Sequence, residues 1–262
     1  MRTKEKIKTF ASKVLDLFFP KHIKCIFCGE ELNEDSLYDT CAVCQQTLPF
    51  ITRPCLRCGS QLSDSYSNVC HECYTNNRYF REARSVIEYT DKVVSLVHKF
   101  KYNSKHYLAE PMLQYMGEVF SKWRIIPDIV CDVPIHANKM KRNKKNHSSI
   151  LASGLAEMFG LEYLPLCEKV KDNFSQTELT FEERQKNVSD AYIVKPEHRK
   201  QIIGKTILIV DDVITTCATI NEIAKTLLHY GASEVYAISF AHTQLNRKEK
   251  LKNNKWSNFN KN

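Results

Sequence analysis

The sequence predicts an α/β fold: a parallel sheet flanked by helices, with an N-terminal helix and a small cysteine ribbon module ahead of it. Three observations predict it. In the stretch Thr206 to Ile220, a short β-branched run (Ile207 to Val210) reads as a buried parallel strand and meets two carboxylates, Asp211 and Asp212. Hydroxyls and small residues follow, Thr215, Thr216, Cys217, Ala218 and Thr219, and they open a helix from Ile220 to Tyr230. Second, C-x2-C pairs recur between Cys25 and Cys73. Third, beyond Tyr79 short apolar runs alternate with helical periods, the pattern of strands connected by crossover helices.

Taken in order, Ile7, Phe10, Ala11, Val14, Leu17 and Phe18 recur at helical spacing and predict an amphipathic helix across residues 1–20, stopped by Pro20. Such a helix packs on its own protein, or serves a membrane surface or a partner. Val14 to Phe19 is too short, and with Asp16 too charged, for a secretory core, and no apolar run approaches a membrane span. A cytoplasmic location is expected.

Residues 22–76 form an internal repeat. Cys25, Cys28, Cys41 and Cys44 make one set, and Cys55, Cys58, Cys70 and Cys73 the other. Two residues between cysteines let both sulfurs reach one metal, and Gly29 and Gly59 relieve the turn after each first pair. Four thiolates per site suit tetrahedral, structural Zn²⁺ with no open position, so two structural Zn²⁺ sites are expected. Spacing leaves a cross-braced pairing open. Each ribbon is too small to bury a core, so metal supplies its folding energy.

The α/β body is expected over residues 80–245. Strands are predicted at Ser85 to Tyr89, Ile129 to Val133, Leu164 to Leu166, Tyr192 to Val194 (at an edge) and Val235 to Phe240, with helices over Val93 to Phe100, from Glu110 to Trp123 and from Ser148 or Ser149 to Phe159. Thr180 to Glu183 fits a capping box for a short helix from Phe181 to about Val188. The loop from His136 to His147 carries Lys139, Lys141, Arg142, Lys144 and Lys145 and no acid. It is either a solvated loop or a cover for an anionic ligand. Residues 246–262 read as a basic, disordered tail.

The net charge of +8 is concentrated at the ends, with +5 in residues 1–24 and +5 in residues 246–262. Basic ends suit nucleic acid or an acidic partner, and equally a solubilising role. The glycines form neither GxGxxG nor a Walker loop, which argues against an independent ATPase or a Rossmann dehydrogenase.

The Asp211 to Thr219 string has a chemical use of its own. A helix N-terminus offers free N–H groups to a phosphate, small residues let the backbone approach, and paired carboxylates suit the vicinal hydroxyls of a ribose. Taken singly, Asp212 would cap a turn and the threonines a helix. The string resembles the phosphoribosyl pyrophosphate (PRPP) signature of type I phosphoribosyltransferases. The resemblance implies that Asp211 and Asp212 bind ribose hydroxyls and that Thr215 through Thr219 bind the 5′-phosphate. The family usually has Gly where this chain has Cys217. Should that position need positive φ, a Cβ costs on the order of 1 kcal/mol. A thiol there can also react readily, or be an inert small residue.

The pairing of two cysteine ribbons with a PRPP-signature domain resembles the ComF family of competence proteins over residues 22–243. Motifs falling in order include Lys101-Tyr102, Val133-Pro134-Ile135-His136, Gln176, Arg184, Asn187-Val188 and the Asp211–Thr219 string. Where that family carries an Arg-Gly-Phe-Asn-Gln type motif, this chain reads Asn143-Lys-Lys-Asn-His147, and only Asn146 survives. The resemblance implies a type I phosphoribosyltransferase-like sheet and a role in DNA uptake during natural transformation. It implies handling of incoming single-stranded DNA beside a helicase-like competence protein, with PRPP or a related sugar phosphate as ligand.

An active phosphoribosyltransferase with Mg²⁺ is a second reading. There Asp211 and Asp212 hold the ribose and the loop from Lys139 to Lys145 covers pyrophosphate; no residue identifies an acceptor. A zinc-ribbon scaffold that docks a protein is a third. Phe27, Tyr74, Tyr79 and Phe80 are candidate stacking platforms for single strands, or else core.

Overall fold

Each ribbon is built by the same local rules. In the computed structural model, which describes residues 23–63, 66–102, 106–136, 146–171 and 191–243, the Cys25 amide donates to the Glu30 carbonyl and the Gly29 amide to the Cys25 carbonyl. Thirty positions on, the Cys55 amide donates to the Ser60 carbonyl and the Gly59 amide to the Cys55 carbonyl. Gly29 and Gly59 adopt φ of 84° and 77°, the left-handed turn their lack of Cβ permits. Each ribbon closes with a short helix carrying its last cysteine, α1 (Ala42–Thr47) and α2 (His71–Thr75).

The N-terminal helix, the basic loop with Lys139, the capping-box helix with Arg184 and Asn187, Gln176, and the tail lie outside the described residues. Backbone contacts group the chain up to Leu48 as one unit and the chain from Pro49 as another.

From the second ribbon onward the body runs β1 (Glu82–Glu88), α3 (Asp91–Tyr102), α4 (Ala109–Ser121), β2 (Ile129–Asp132), α5 (His147–Phe159), β3 (Glu162–Tyr163), β4 (Cys167–Lys169), β5 (Tyr192–Val194), β6 (Thr206–Ile214), α6 (Ala218–His229) and β7 (Glu234–His242). A five-stranded sheet in the order β1-β7-β6-β2-β3 is parallel throughout the described pairs. The continuous apolar runs are buried on both faces, as a parallel sheet covered by helices requires; Ile207 to Val210 are fully buried.

One expectation is corrected and one is made more specific. Leu164 to Leu166 is not a strand. The Leu164 amide still bonds the Val130 carbonyl, but Pro165 has no N–H to offer a ladder and the Leu166 amide turns back to Leu164. Tyr192 to Val194 is an edge strand as expected, but of a separate two-stranded ribbon: it pairs antiparallel with β4, Cys167 opposite Val194 and Lys169 opposite Tyr192.

β6 is longer than its apolar run suggests. It pairs with β7 through Asp211 opposite Ser239 and on to Ile214 opposite His242. The two acids therefore sit within a strand, not on the loop after it. β1 is the sheet's edge, and its outer side is covered: the Ala83 amide donates to the Arg57 carbonyl, the Ile51 amide to Val86 and the Glu88 amide to Pro49.

Candidate ligand cleft and metal centres

The carboxyl ends of β2 and β6 open into a cavity of about 380 Å³, lined by Lys101, Tyr102, Asn146, Ser148, Asp211, Asp212, Thr215 and Cys217 to Thr219 among others. Of the residues expected at a ligand, Asp211, Asp212, Thr215, Cys217, Ala218 and Thr219 come together here. Thr216 is buried and lines a second cavity behind the loop, where its hydroxyl accepts from the Ala218 amide at 3.3 Å. Lys139 lies outside the described residues.

The acids are held from several sides. Ser148, at the start of α5, donates to Asp211 Oδ1 at 2.8 Å, and the Asp212 amide donates to the same oxygen at 2.9 Å. Lys101, in the last turn of α3, pairs with Asp212 Oδ1 at 2.8 Å. Burial, and then the charge of Asp212, push the Asp211 carboxyl up to about 7 against the opposing pull of Lys101 and Ser148. Burial works against the Lys101 charge, but the Asp212 carboxylate outweighs it and leaves the ammonium above its ordinary range.

Asp132, at the end of β2, is a further buried acid that the sequence reading passed over. Tyr163 donates to its Oδ1 at 3.0 Å and Asn146 to its Oδ2 at 2.6 Å. Burial raises its carboxyl above the usual range despite these donors. Asn146 also caps α5, accepting from the Ser148 amide at 3.2 Å. A carboxylate closing an apolar run was the available signal for Asp132, and Lys101 stood in a motif already singled out. Asp211 and Asp212 offer carboxylate oxygens to the cleft, with the Lys101 ammonium set against Asp212.

The loop position that opens α6 is strained. Cys217 is the N-cap residue of α6 at φ 62° and makes no side-chain cap bond. A non-glycine residue there costs on the order of 1 kcal/mol. Its thiol is buried, 4.0 Å from His242 Nε2. Behind it, Arg78 donates to the Thr216 carbonyl at 3.4 Å. Burial opposes the guanidinium charge, and the sulfurs of Cys217 and Cys73 outweigh that penalty.

The eight repeat cysteines gather as two sets, Cys25, Cys28, Cys41 and Cys44, and Cys55, Cys58, Cys70 and Cys73, with the sulfurs of each set within 4.8 Å of one another. The pairing is sequential, ribbon by ribbon, and not cross-braced. Cys28 and Cys41 lie 3.7 Å apart, and Cys58 and Cys70 3.6 Å. Four sulfurs converging without a disulfide are the donor set of structural zinc.

Comparison with known proteins agrees with both parts. Residues 14–74 match the model described as "Double zinc ribbon domain", and residues 146–262 match "Phosphoribosyl transferase domain". Competence protein F of Haemophilus influenzae is 23% identical over 82% of this chain and 94% of its own length. DNA utilization protein YhgH of Salmonella typhimurium is 27% identical over 76% of this chain and 88% of its own. Competence protein ComFC of Streptococcus pneumoniae is 25% identical over 83% and 99%. The resemblance to competence proteins is thus borne out over most of the chain. Among solved structures, one titled as the allosteric regulatory enzyme of purine biosynthesis is 21% identical over 54% of this chain and 29% of that one, with a TM-score of 0.37, too loose a likeness to bear on the site. Among the described residues no helix is long and apolar enough to cross a membrane.

Proposed function

We propose that this chain is a cytoplasmic DNA-uptake accessory that handles incoming single-stranded DNA, and that its α/β body binds PRPP or a related sugar phosphate. The observation that carries the ligand reading is the cleft itself. Asp211 and Asp212 stand on a strand held in register on both sides, and the residues opening α6 line the same cavity. The carboxylates accept from the ribose hydroxyls. The first-turn N–H groups of α6 beyond Ala218, whose own amide is taken by Thr216, join the hydroxyls of Thr215 and Thr219 in taking the 5′-phosphate. Mg²⁺, arriving with pyrophosphate, would neutralise the leaving group's charge. Ser148 and Lys101 orient the acids until the ligand replaces the lysine.

The relatives' names support the DNA reading, and so does the second ribbon's surface. Tyr74 and Tyr79 are 86% and 51% exposed, whereas Phe27 and Phe80 are core. Two exposed rings suit base stacking on a nucleic-acid strand, and the basic composition of residues 1–24 and 246–262 suits its phosphates. A helicase-like competence protein would supply the motor.

Calorimetric titration of zinc-loaded protein with PRPP and Mg²⁺ tests the ligand. Saturable heat that disappears in Asp211→Asn/Asp212→Asn is expected, and no heat in folded, zinc-replete protein rejects it. For DNA, affinity for a single strand should fall with salt by about 0.7 log units per phosphate contact. A flat salt response, or no binding at low salt, rejects that half.

A further inference from the structure

We propose that Cys58, Cys217 and His242 form a site for a third thiophilic metal ion of the Zn²⁺ class, sharing the Cys58 sulfur with the second tetrad. The ligand atoms of these three residues lie within 4.8 Å of one another, and all three side chains are buried. Zn–S and Zn–N bonds of about 2.3 and 2.0–2.1 Å ask for tetrahedral ligand separations of about 3.5–3.8 Å. The 4.0 Å between Cys217 Sγ and His242 Nε2 needs only a small adjustment.

The fold delivers these residues from three elements. His242 ends β7 opposite Ile214, and the Thr243 amide extends that ladder to the Ile214 carbonyl at 2.9 Å. Cys217 follows on the loop that β6 enters. Cys58 sits in the knuckle whose backbone is hydrogen-bonded to β1 through Arg57 and Ala83.

His242 is oriented as a ligand. Its Nδ1 lies 3.0 Å from the Thr243 carbonyl, which can only accept. Nδ1 therefore carries the proton, and the Nε2 lone pair faces Cys217. A carbonyl holding the far nitrogen is the usual outer support of a metal-bound histidine.

Two further observations point to an occupant. Cys217 holds a left-handed conformation that a glycine would adopt without strain, and its sulfur caps nothing, so neither backbone nor capping accounts for the side chain. The cavity of about 240 Å³ bordered by Cys58, Cys217 and His242 is also lined by Arg78 and Thr243. Arg78 Nε and Thr243 Oγ1 are buried with no hydrogen-bond partner among the described residues. There is room for a fourth, exogenous ligand, a water or an anion, that these groups would receive. On binding, Cys217 gives its thiol proton to solvent and Cys58 becomes a bridging thiolate; nothing is oxidised. The site does not depend on PRPP. It would fasten the loop at the start of α6 to the second ribbon through metal.

Native mass spectrometry of the full chain over graded free Zn²⁺ tests the proposal. The wild type should reach three ions, and Cys217→Gly and His242→Gln should each stop at two, their filled tetrads certifying that both variants fold. A wild type that never exceeds two, or a third ion kept by either variant, overturns it. Should a variant fail to fill its tetrads, Co²⁺ titration of the wild type decides. A third equivalent that adds thiolate-to-cobalt charge-transfer absorbance supports the site, and a third equivalent without it rules the site out.

Discussion

The two ribbons share a backbone pattern and differ in what surrounds it. An added Cβ at Gly29 meets no described atom within 4 Å, whereas at Gly59 it falls 2.6 Å from the Ala83 carbonyl oxygen and 2.8 Å from the Arg84 Cα. Where the first knuckle carries Phe27, the second carries Arg57, whose side chain donates to the Arg78 carbonyl and whose own carbonyl accepts from β1. Cys55, Cys58 and Leu62 belong to the same apolar cluster as Ile207, Ile209 and Ile223 of the body. The same motif falls in a compact unit of its own in one place and in a domain's sheet edge and core in the other. Metal in the second copy therefore supports more than its own loop.

That contrast can be broken most directly at the metals. Cys73→Ser should lower the melting temperature of the body by about 10 °C or more, because the ribbon that covers β1 loses its folding energy. Cys44→Ser should leave the body's transition within a few degrees. Scanning calorimetry with zinc counted by elemental mass spectrometry checks both, and equal losses would erase the distinction.

The glycines sharpen it. Gly59→Ala should cost about 3 kcal/mol, from the left-handed φ and the clash with β1 together, and Gly29→Ala about 1 kcal/mol from φ alone. Denaturant unfolding of the two variants measures the gap.

The ribbon helices extend the test to DNA. Tyr74 follows the last cysteine of the second ribbon where Gln45 follows that of the first. Tyr74→Ala should weaken single-strand binding by about 1–3 kcal/mol for one lost stack, and Gln45→Ala should change nothing. Fluorescence anisotropy at fixed salt distinguishes them.

The smallest effect is a control that owes nothing to either ribbon. The Asp211 carboxyl is raised in the fold, so the folded state binds a proton more tightly than the unfolded chain between about pH 4 and its folded value of about 7. Stability held below that window falls as pH rises through it. Asp211→Asn should melt about 2–6 °C above wild type at pH 7.5, with the difference gone near pH 4. Thermal melts across pH in zinc-replete buffer measure it, and a difference independent of pH would remove the assignment.

Much of this was legible beforehand where a local rule was strong. C-x2-C spacing identified both cysteine sets, and the β-branched run before Asp211 identified the central strand. The extent of β6 was not legible, because the acids belong to the strand only through their pairing with β7. Pro165 broke an apolar stretch that looked continuous. Thr216 read like its neighbours, yet the turn at Cys217 sends it to the other side of the loop. Asp132, His242 and Arg78 act through partners distant in the chain, and no periodicity signals a residue whose role depends on a contact with Asn146, Cys217 or Thr216.

Lys101, finally, gives the cleft a tethered counterion. One of the two acids is already paired from within by an ammonium fixed to α3, so under the proposed function a newcomer meets a held cation and not loose sodium on bare carboxylates. Should the ligand arrive as a magnesium complex, the cleft behaves as an ion exchanger with one captive cation, trading a held single charge for an incoming double one. A sugar phosphate without its metal has nothing to trade. The expected signature is a calorimetric affinity that barely changes across a sodium chloride series, beside a DNA affinity on the same molecule that falls steeply.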